Sequence, residues 1–274
     1  MDHMVQETCR SNARKGVIDM YYQLTITLEL KNDLKMNESA FRLSQYIGFA
    51  MLKNEDLKQL HMNGNIKPYV FDGLYPMANK EKMYKKGNLY LFHINTPSES
   101  LAEDLTKAIK LTDSPFLNTK SVTYEPIHFN RKIKRIKTVT PFIITLEDDQ
   151  PWKKENGIKI LLDRIQKSLE HKARIIYDEE MDLSSIVESV KILNIKPISI
   201  DYKCKSKLGI VPCKHSKKNC HKYCKDYNPL KLIGNKLEMM LTDTKESQIA
   251  SEIIVSTGLL EKNATLGMGY CIVN

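Results

Sequence analysis

From Met20 to Leu30 the apolar side chains of Tyr22, Leu24, Ile26 and Leu28 alternate with polar neighbours such as Thr25 and Thr27. That period of two marks a strand with one buried face. The strand constrains the chain most because the periodicity beyond it switches in a fixed order. Leu43, Tyr46, Ile47, Ala50 and Met51 recur at helical spacing, which predicts a helix capped by Asn37 with one stripe facing a core. Asn54, ahead of Glu55 and Asp56, starts a second, short helix that Gly64 ends. Lys67 precedes Pro68 and is pushed out of helical space, so Tyr69, Val70 and Phe71 are expected to run on as a strand. A hairpin comes next, with Leu89 to Ile94 as its second arm after the turn at Gly87-Asn88. Thr96-Pro97-Ser98-Glu99 reads as a helix start, a capping box with proline at the first helical position. Ser121 to Ile127 supplies another strand.

Residues 20 to 129 therefore spell β-α-β-β-α-β, a ferredoxin-like arrangement that RNA-recognition domains share. The basic run Arg131, Lys132, Lys134, Arg135 and Lys137 links into a second half, expected to open with a strand from Val139 to Leu146. A helix is expected next on Ile158, Leu161, Leu162, Ile165 and Leu169. Strands are expected over Ile192 to Tyr202 and Leu230 to Leu241, a helix on Ile249, Ile253 and Ile254, and a last strand over Tyr270 to Val273. The rhythm repeats that of the first half, so the fold class read from sequence is α+β, two ferredoxin-like domains in tandem over 20–129 and 130–274. Residues 1–19 lack an apolar period and are read as a flexible extension.

A formal charge of +9, from 42 basic and 33 acidic residues, favours a polyanionic partner. No run approaches the ~18 consecutive apolar residues that a bilayer span needs, and the first residues lack a signal core, which points to a cytoplasmic protein with no membrane partner. Six cysteines in such a chain argue for reduced thiols.

Three residues suggest chemistry by their combination. RNA can be cut without a metal when its own 2′-hydroxyl attacks the neighbouring phosphate. That reaction needs a group at the hydroxyl, a proton donor for the leaving 5′ oxygen, and a cation beside the crowded phosphorane. Tyr46, His61 and Lys67 are residue types able to fill those roles. His61 falls at the end of the short helix, where the macrodipole favours the imidazolium. Taken singly each has a plainer reading: Tyr46 lies on the apolar stripe, and His61 and Lys67 could be ordinary surface residues.

The stretch Leu60-His61-Met62-Asn63-Gly64-Asn65-Ile66-Lys67-Pro68-Tyr69 resembles the catalytic turn of the Cas-six family, CRISPR-associated endoribonucleases of the RAMP group. In that family a helix-ending histidine is followed six residues later by lysine, and often preceded by a tyrosine about fifteen residues earlier, the place where Tyr46 stands. Gly258-Leu259-Leu260-Glu261-Lys262-Asn263-Ala264-Thr265-Leu266-Gly267-Met268-Gly269-Tyr270 resembles the family's C-terminal glycine-rich loop. It departs from that pattern at Leu260, where the family has glycine, and by one inserted residue between Lys262 and Gly267. Glycines let backbone N–H groups approach phosphates, and Lys262 adds charge. A tight helix-to-strand turn is the alternative reading of the same glycines. Thr138-Val139-Thr140-Pro141 resembles the family's mid-chain strand entry.

Residues 203–225 hold eight lysines and no acid and fall where the family places an RNA-contacting hairpin; phosphates are the natural partners of such a segment. The resemblance implies RNA contacts from Arg131, Lys132, Lys134, Arg135, Lys203, Lys205, Gly258, Lys262, Gly267 and Gly269. Cys204, Cys213, Cys220 and Cys224 could hold a structural zinc ion, but their C-x8-C-x6-C-x3-C spacing lacks a C-x2-C pair, and reduced thiols or a conditional disulfide are the alternatives. The family requires no cofactor. The resemblance implies a metal-independent endoribonuclease that cuts CRISPR repeat RNA in precursor transcripts and leaves a 2′,3′-cyclic phosphate and a 5′-hydroxyl, in company with other CRISPR-associated proteins. The alternative is a non-catalytic RAMP subunit that holds guide RNA.

Overall fold

The computed structural model describes residues 20–63, 66–78, 80–129, 132–146, 150–204, 229–260 and 262–273. Strand β1 (Met20–Leu30) alternates half-buried and buried positions from Tyr21 to its end, as its period predicts. A two-residue strand β2 (Leu34–Lys35) precedes helices α1 (Met36–Met51) and α2 (Glu55–Met62). Next come β3 (Val70–Phe71), β4 (Met83–Tyr84), β5 (Leu89–Thr96), α3 (Glu99–Lys110) and β6 (Leu117–His128). The first sheet has the order β3-β5-β1-β6 and is antiparallel throughout, while β2 and β4 form a separate ribbon.

The second half runs β7 (Arg135–Thr138), α4 (Ile158–Tyr177), β8 (Val187–Ile192), β9 (Ile198–Cys204), β10 (Pro229–Gly234), β11 (Leu237–Leu241), α5 (Lys245–Thr257), α6 (Asn263–Leu266) and β12 (Cys271–Val273). Its sheet has the order β12-β7-β11-β8. If the four main strands of each half are counted in chain order, both sheets read fourth, first, third, second, so the ferredoxin-like topology occurs twice. The ribbon β9-β10 is inserted between the second and third strands of the second half.

Two hydrophobic cores hold the halves, one around Leu24, Ile26, Leu43, Phe71 and Phe92, the other around Ile136, Leu161, Leu169, Met239 and Ile253. A smaller cluster of Ile143, Ile200, Leu266 and Met268, with Phe41 and Tyr202 against it, closes the seam between them. Helix α5 joins the two halves from inside: every residue from Ile249 to Thr257 is buried, and it packs on β1 and β5 as well as on its own half. Asn95 of β5 donates to the Val255 carbonyl at 3.0 Å. A helix enclosed on all sides has no polar stripe, which explains why only its isoleucines stand out in the sequence.

Several local expectations are corrected. Asn37 is not the cap of α1: Lys35 holds that position without a side-chain bond, and the Asn37 amide instead donates to Asp201 of β9 at 2.7 Å. Ser98, not Thr96, caps α3, accepting from the Leu101 N–H at 3.2 Å. Thr96 remains in β5 and donates to the Pro68 carbonyl, so Pro97 precedes the helix rather than opening it. The second half does not open with a strand over 139–146. The basic run supplies it, because Arg135 and Lys137 point outward while Ile136 and Thr138 are buried, whereas Pro141 has no N–H to give a ladder. Each of the two long strands expected later is broken in two. The first is interrupted between Ile192 and Ile198, across the segment that contains Pro197, and the second at Asn235-Lys236. Helix α2 ends at Met62 with Asn63 as its C-cap; Gly64, like residues 1–19, Arg131, Lys205, Cys213, Cys220 and Cys224, lies outside the described residues. No helix among the described residues is long and apolar enough to cross a membrane.

Candidate functional site

Helix α2 is set by its cap: Asn54 Oδ1 accepts from the Leu57 N–H at 3.1 Å, and Glu55 and Asp56 sit in the first turn. Its last turn carries His61, whose imidazole lies directly over Gly48 of α1. A Cβ at position 48 would stand 3.1 Å from His61 Cε1. A glycine inside a helix costs stability relative to alanine, so Gly48 is a residue whose absence of side chain seats the ring, and sequence reasoning passed over it.

Lys67 lies on the connection to β3. It is half-buried, and that burial lowers its ammonium below the usual lysine value. Two residues on, Tyr69 is fully enclosed and donates from its hydroxyl to the Ala264 carbonyl at 3.4 Å. The histidine-to-lysine turn is thereby tied to the glycine-rich loop, which is almost two hundred residues away in sequence.

The loop itself is tightly packed. Gly258, Gly267 and Gly269 all have positive φ, where L side chains are strained. A Cβ on Gly267 would come within 2.5 Å of the Phe71 carbonyl oxygen, and one on Gly269 within 2.0 Å of the Leu259 carbonyl oxygen. Close packing against their neighbours is therefore what requires these three glycines, and all three are buried. The side chains that reach the surface are those between them, Lys262, Ala264 and Thr265. Thr140 holds the loop from the mid-chain segment: its hydroxyl donates to the Gly267 carbonyl at 2.6 Å and accepts from the Tyr270 N–H at 2.8 Å, while the Pro141 carbonyl accepts from Gly269. Two motifs distant in sequence thus meet as one structural unit. Lys172 of α4, 2% exposed, donates to the carbonyls of Thr257 and Gly258 where α5 ends and the loop begins. Burial pushes its pKa down to about 7.

Between α4 and the loop lies a cavity of about 590 Å³ whose charged lining is Lys67, Arg164, Lys167, Lys172 and Lys262, with His171 beside them; among the described residues no Asp or Glu lines it. A cavity with this lining attracts phosphates and concentrates their field in a partly desolvated space. Arg164, Lys167 and His171 were not singled out in the sequence, although their i, i+3, i+7 spacing puts them on one helical face opposite buried Leu161, Ile165 and Leu169. A second cavity of about 690 Å³ on the other side of the loop, lined in part by Met36, Leu74, Ile200 and Met268, is more apolar.

His61, six residues before Lys67 and seated on Gly48, is not among the residues that line this cavity, and the remaining predicted residues are placed elsewhere. Tyr46 is 1% exposed in the first core, and its hydroxyl is hydrogen-bonded to Thr119 Oγ1 of β6. Desolvation raises its pKa. The structure does not bring that hydroxyl to the cavity. Lys132 forms an ion pair with Asp243, and Lys134 and Arg135 are exposed on and before β7; none of the three lines the cavity. Lys203 and Cys204 end β9. Among the described residues no group of three or more His, Cys, Asp or Glu could hold a metal ion, and three of the four candidate zinc cysteines lie outside those residues.

No protein-family model and no curated protein matches the sequence. The fold, by contrast, is found in solved structures. The chain is similar to a CRISPR associated protein Cas6, with 15% identity and a TM-score of 0.62 over 93% of this chain and 99% of that one. It is similar to an RAMP protein binding different RNA substrates, with 10% identity and a TM-score of 0.65 over 92% and 99%. A Cas6 product complex gives 12% identity and a TM-score of 0.54 over 93% and 100%.

Proposed function

We propose that this chain is a member of the Cas6 family, an endoribonuclease that binds CRISPR repeat RNA and cuts it out of precursor transcripts without a metal ion. Its two domains in this reading are residues 20–129 and 130–274. The carrying observation is the cavity in which Lys67, six residues after His61, and Lys262 of the glycine-rich loop share a lining free of acidic side chains among the described residues. The near-complete overlap with a Cas6 product complex and with an RNA-binding RAMP protein supports the same reading.

The 2′-hydroxyl attacks the adjacent phosphate, and the P–O5′ bond breaks to leave a 2′,3′-cyclic phosphate and a 5′-hydroxyl. His61, on a helix terminus whose dipole favours the imidazolium, moves a proton. Lys67 meets the phosphorane charge; a partly desolvated ammonium acts more strongly there than one in water. Tyr46 contributes at one remove: its bond to Thr119 fixes α1 against β6, and α1 carries the Gly48 seat of His61. Lys132, Lys134 and Arg135 would hold flanking phosphates outside the cavity, and Arg131, Lys203 and Lys205 would add positive charge for the RNA backbone.

The test is incubation of the purified chain with repeat RNA in chelator, then mapping of the cut and its end groups. The expected result is one cut with cyclic phosphate and 5′-hydroxyl ends, abolished when the nucleotide before the cut is 2′-deoxy. His61→Ala should cut about 10² to 10⁴ fold more slowly while still binding RNA. Cleavage of the deoxy substrate would show that water, not the 2′-hydroxyl, is the nucleophile. A second reading, a non-catalytic RAMP subunit that holds guide RNA, draws support from the buried Tyr46 hydroxyl; tight binding with no cleavage would favour it.

A further inference from the structure

Internal transesterification moves two protons, one off the 2′-hydroxyl and one onto the leaving 5′ oxygen. Within the endoribonuclease reading, on which this inference rests, His61 accounts for one of them. Tyr46 does not account for the other, because its hydroxyl is enclosed in the first core and bonded to Thr119. The charged groups on the cavity wall are poor candidates. Lys67, Arg164, Lys167 and Lys262 are cations suited to phosphate. Lys172, whose pKa burial lowers to about 7, is buried and commits its amine to the carbonyls of Thr257 and Gly258. Among the described residues that leaves one imidazole in the lining, His171.

His171 is well held. The opposite face of α4 buries Leu161, Ile165, Leu169, Ala173 and Ile176, which fixes the helix against the second sheet, and His171 itself is exposed on the face that carries Arg164 and Lys167. Its acidic neighbour Glu170 is turned away, accepting from Gln166 at 2.8 Å and from the Leu183 N–H. Lys67, from the first half, and Lys262, from the loop, line the same cavity as His171.

We infer that His171 is a catalytic residue of this site, the base that takes the proton from the 2′-hydroxyl. The O2′–P bond forms as that proton passes to the His171 ring, and the P–O5′ bond breaks as His61 gives a proton to the 5′ oxygen. Lys67 and Lys262 lie beside the phosphorane, and Arg164 and Lys167 hold the phosphates that flank it. The reaction is then shared between the two halves of the chain, since His61 and Lys67 come from one and His171 from the other.

The test uses the full chain, repeat RNA, and the same RNA with sulfur in place of the 5′ oxygen at the cut, a leaving group that departs without a proton. His171→Ala is expected to lower the single-turnover rate by about 10² to 10⁴ fold at unchanged RNA affinity. Imidazole in solution should restore part of that rate. His171→Lys, which keeps a cation, should not. The sulfur substrate should restore His61→Ala but leave His171→Ala slow. Wild-type speed in His171→Ala overturns the assignment. So does a loss of affinity alone that His171→Lys repairs, which would make the residue a phosphate contact, or rescue of His171→Ala by sulfur, which would make it the acid. A wild-type chain that binds repeat RNA and never cuts it overturns the endoribonuclease reading as well, so the two failures are told apart by the wild-type lane.

Discussion

Lys172→Met tests a buried cation whose pKa departs far from the ordinary lysine value. The lysine is 2% exposed and caps the carbonyl end of α5, and burial takes its pKa from 10.5 to about 7. The unfolded chain keeps its proton up to about 10.5, whereas the folded chain releases it near 7. Between those values the unfolded state binds more protons, so this group makes stability rise with pH. Its contribution is fully present above about 10.5, is lost as pH falls through the window, and is constant below about 7. The whole fall is worth roughly 5 kcal/mol at 1.36 kcal/mol per pH unit. Urea denaturation of both chains at pH 7.5 and 9.5 should therefore show the wild type gaining on Lys172→Met by roughly 2.5 kcal/mol across that interval. The Cys271 thiol, which burial pushes up to about 12 against the lowering pull of Lys172, stays protonated in both folded chains up to pH 9.5, so it and the buried tyrosines, which act in the opposite sense, leave the difference over this interval unchanged. A difference that stays flat with pH would refute a buried, largely neutral lysine.

Leu260 adopts a left-handed conformation, φ +64, with its side chain 4% exposed, at the place where the family pattern has glycine. Leu260→Gly relieves roughly 1 to 2 kcal/mol of backbone cost but gives up a buried leucine worth more, so thermal unfolding should show a net loss of about 2 kcal/mol. Gly48→Ala should preserve or raise stability by up to about 1 kcal/mol. It should nevertheless slow RNA cleavage, because the new methyl displaces the His61 ring by a few tenths of an ångström. The rate loss should stay below the ~10²-fold expected of a full ångström, as read by single-turnover kinetics. Tyr46→Phe leaves Thr119 without its partner and should cost about 1 kcal/mol in denaturation while slowing cleavage only slightly, through the seat of His61. A ~10²-fold slower rate would return the hydroxyl to the reaction.

Local sequence was sufficient where one short segment decides the outcome. The alternation over 20–30, the stripe on α1, the Asn54 cap and the order of elements in the first half all depend on which face of a local backbone is apolar, and each agrees with the structure. Boundaries went astray where two local signals compete. Thr96 and Ser98 are both able to cap a helix, and the ladder of β5 claimed the first of them. The charges of Arg135 and Lys137 read as a linker until Ile136 between them is seen to be buried.

The candidate site divides along the same line. The six-residue step from His61 to Lys67 and the positive-φ glycines were visible in the chain, because helix ends and tight turns are local. What the sequence could not carry was the meeting of segments: α4 against the glycine-rich loop, Thr140 under Gly267, Tyr69 on Ala264, and the Tyr46 hydroxyl against Thr119. Periodicity tells that a residue is turned inward, not which partner waits there. That difference left Tyr46 as a candidate for chemistry and hid Arg164, Lys167 and His171 among ordinary solvated charges, until packing closed the core around the first and opened a cavity beside the others.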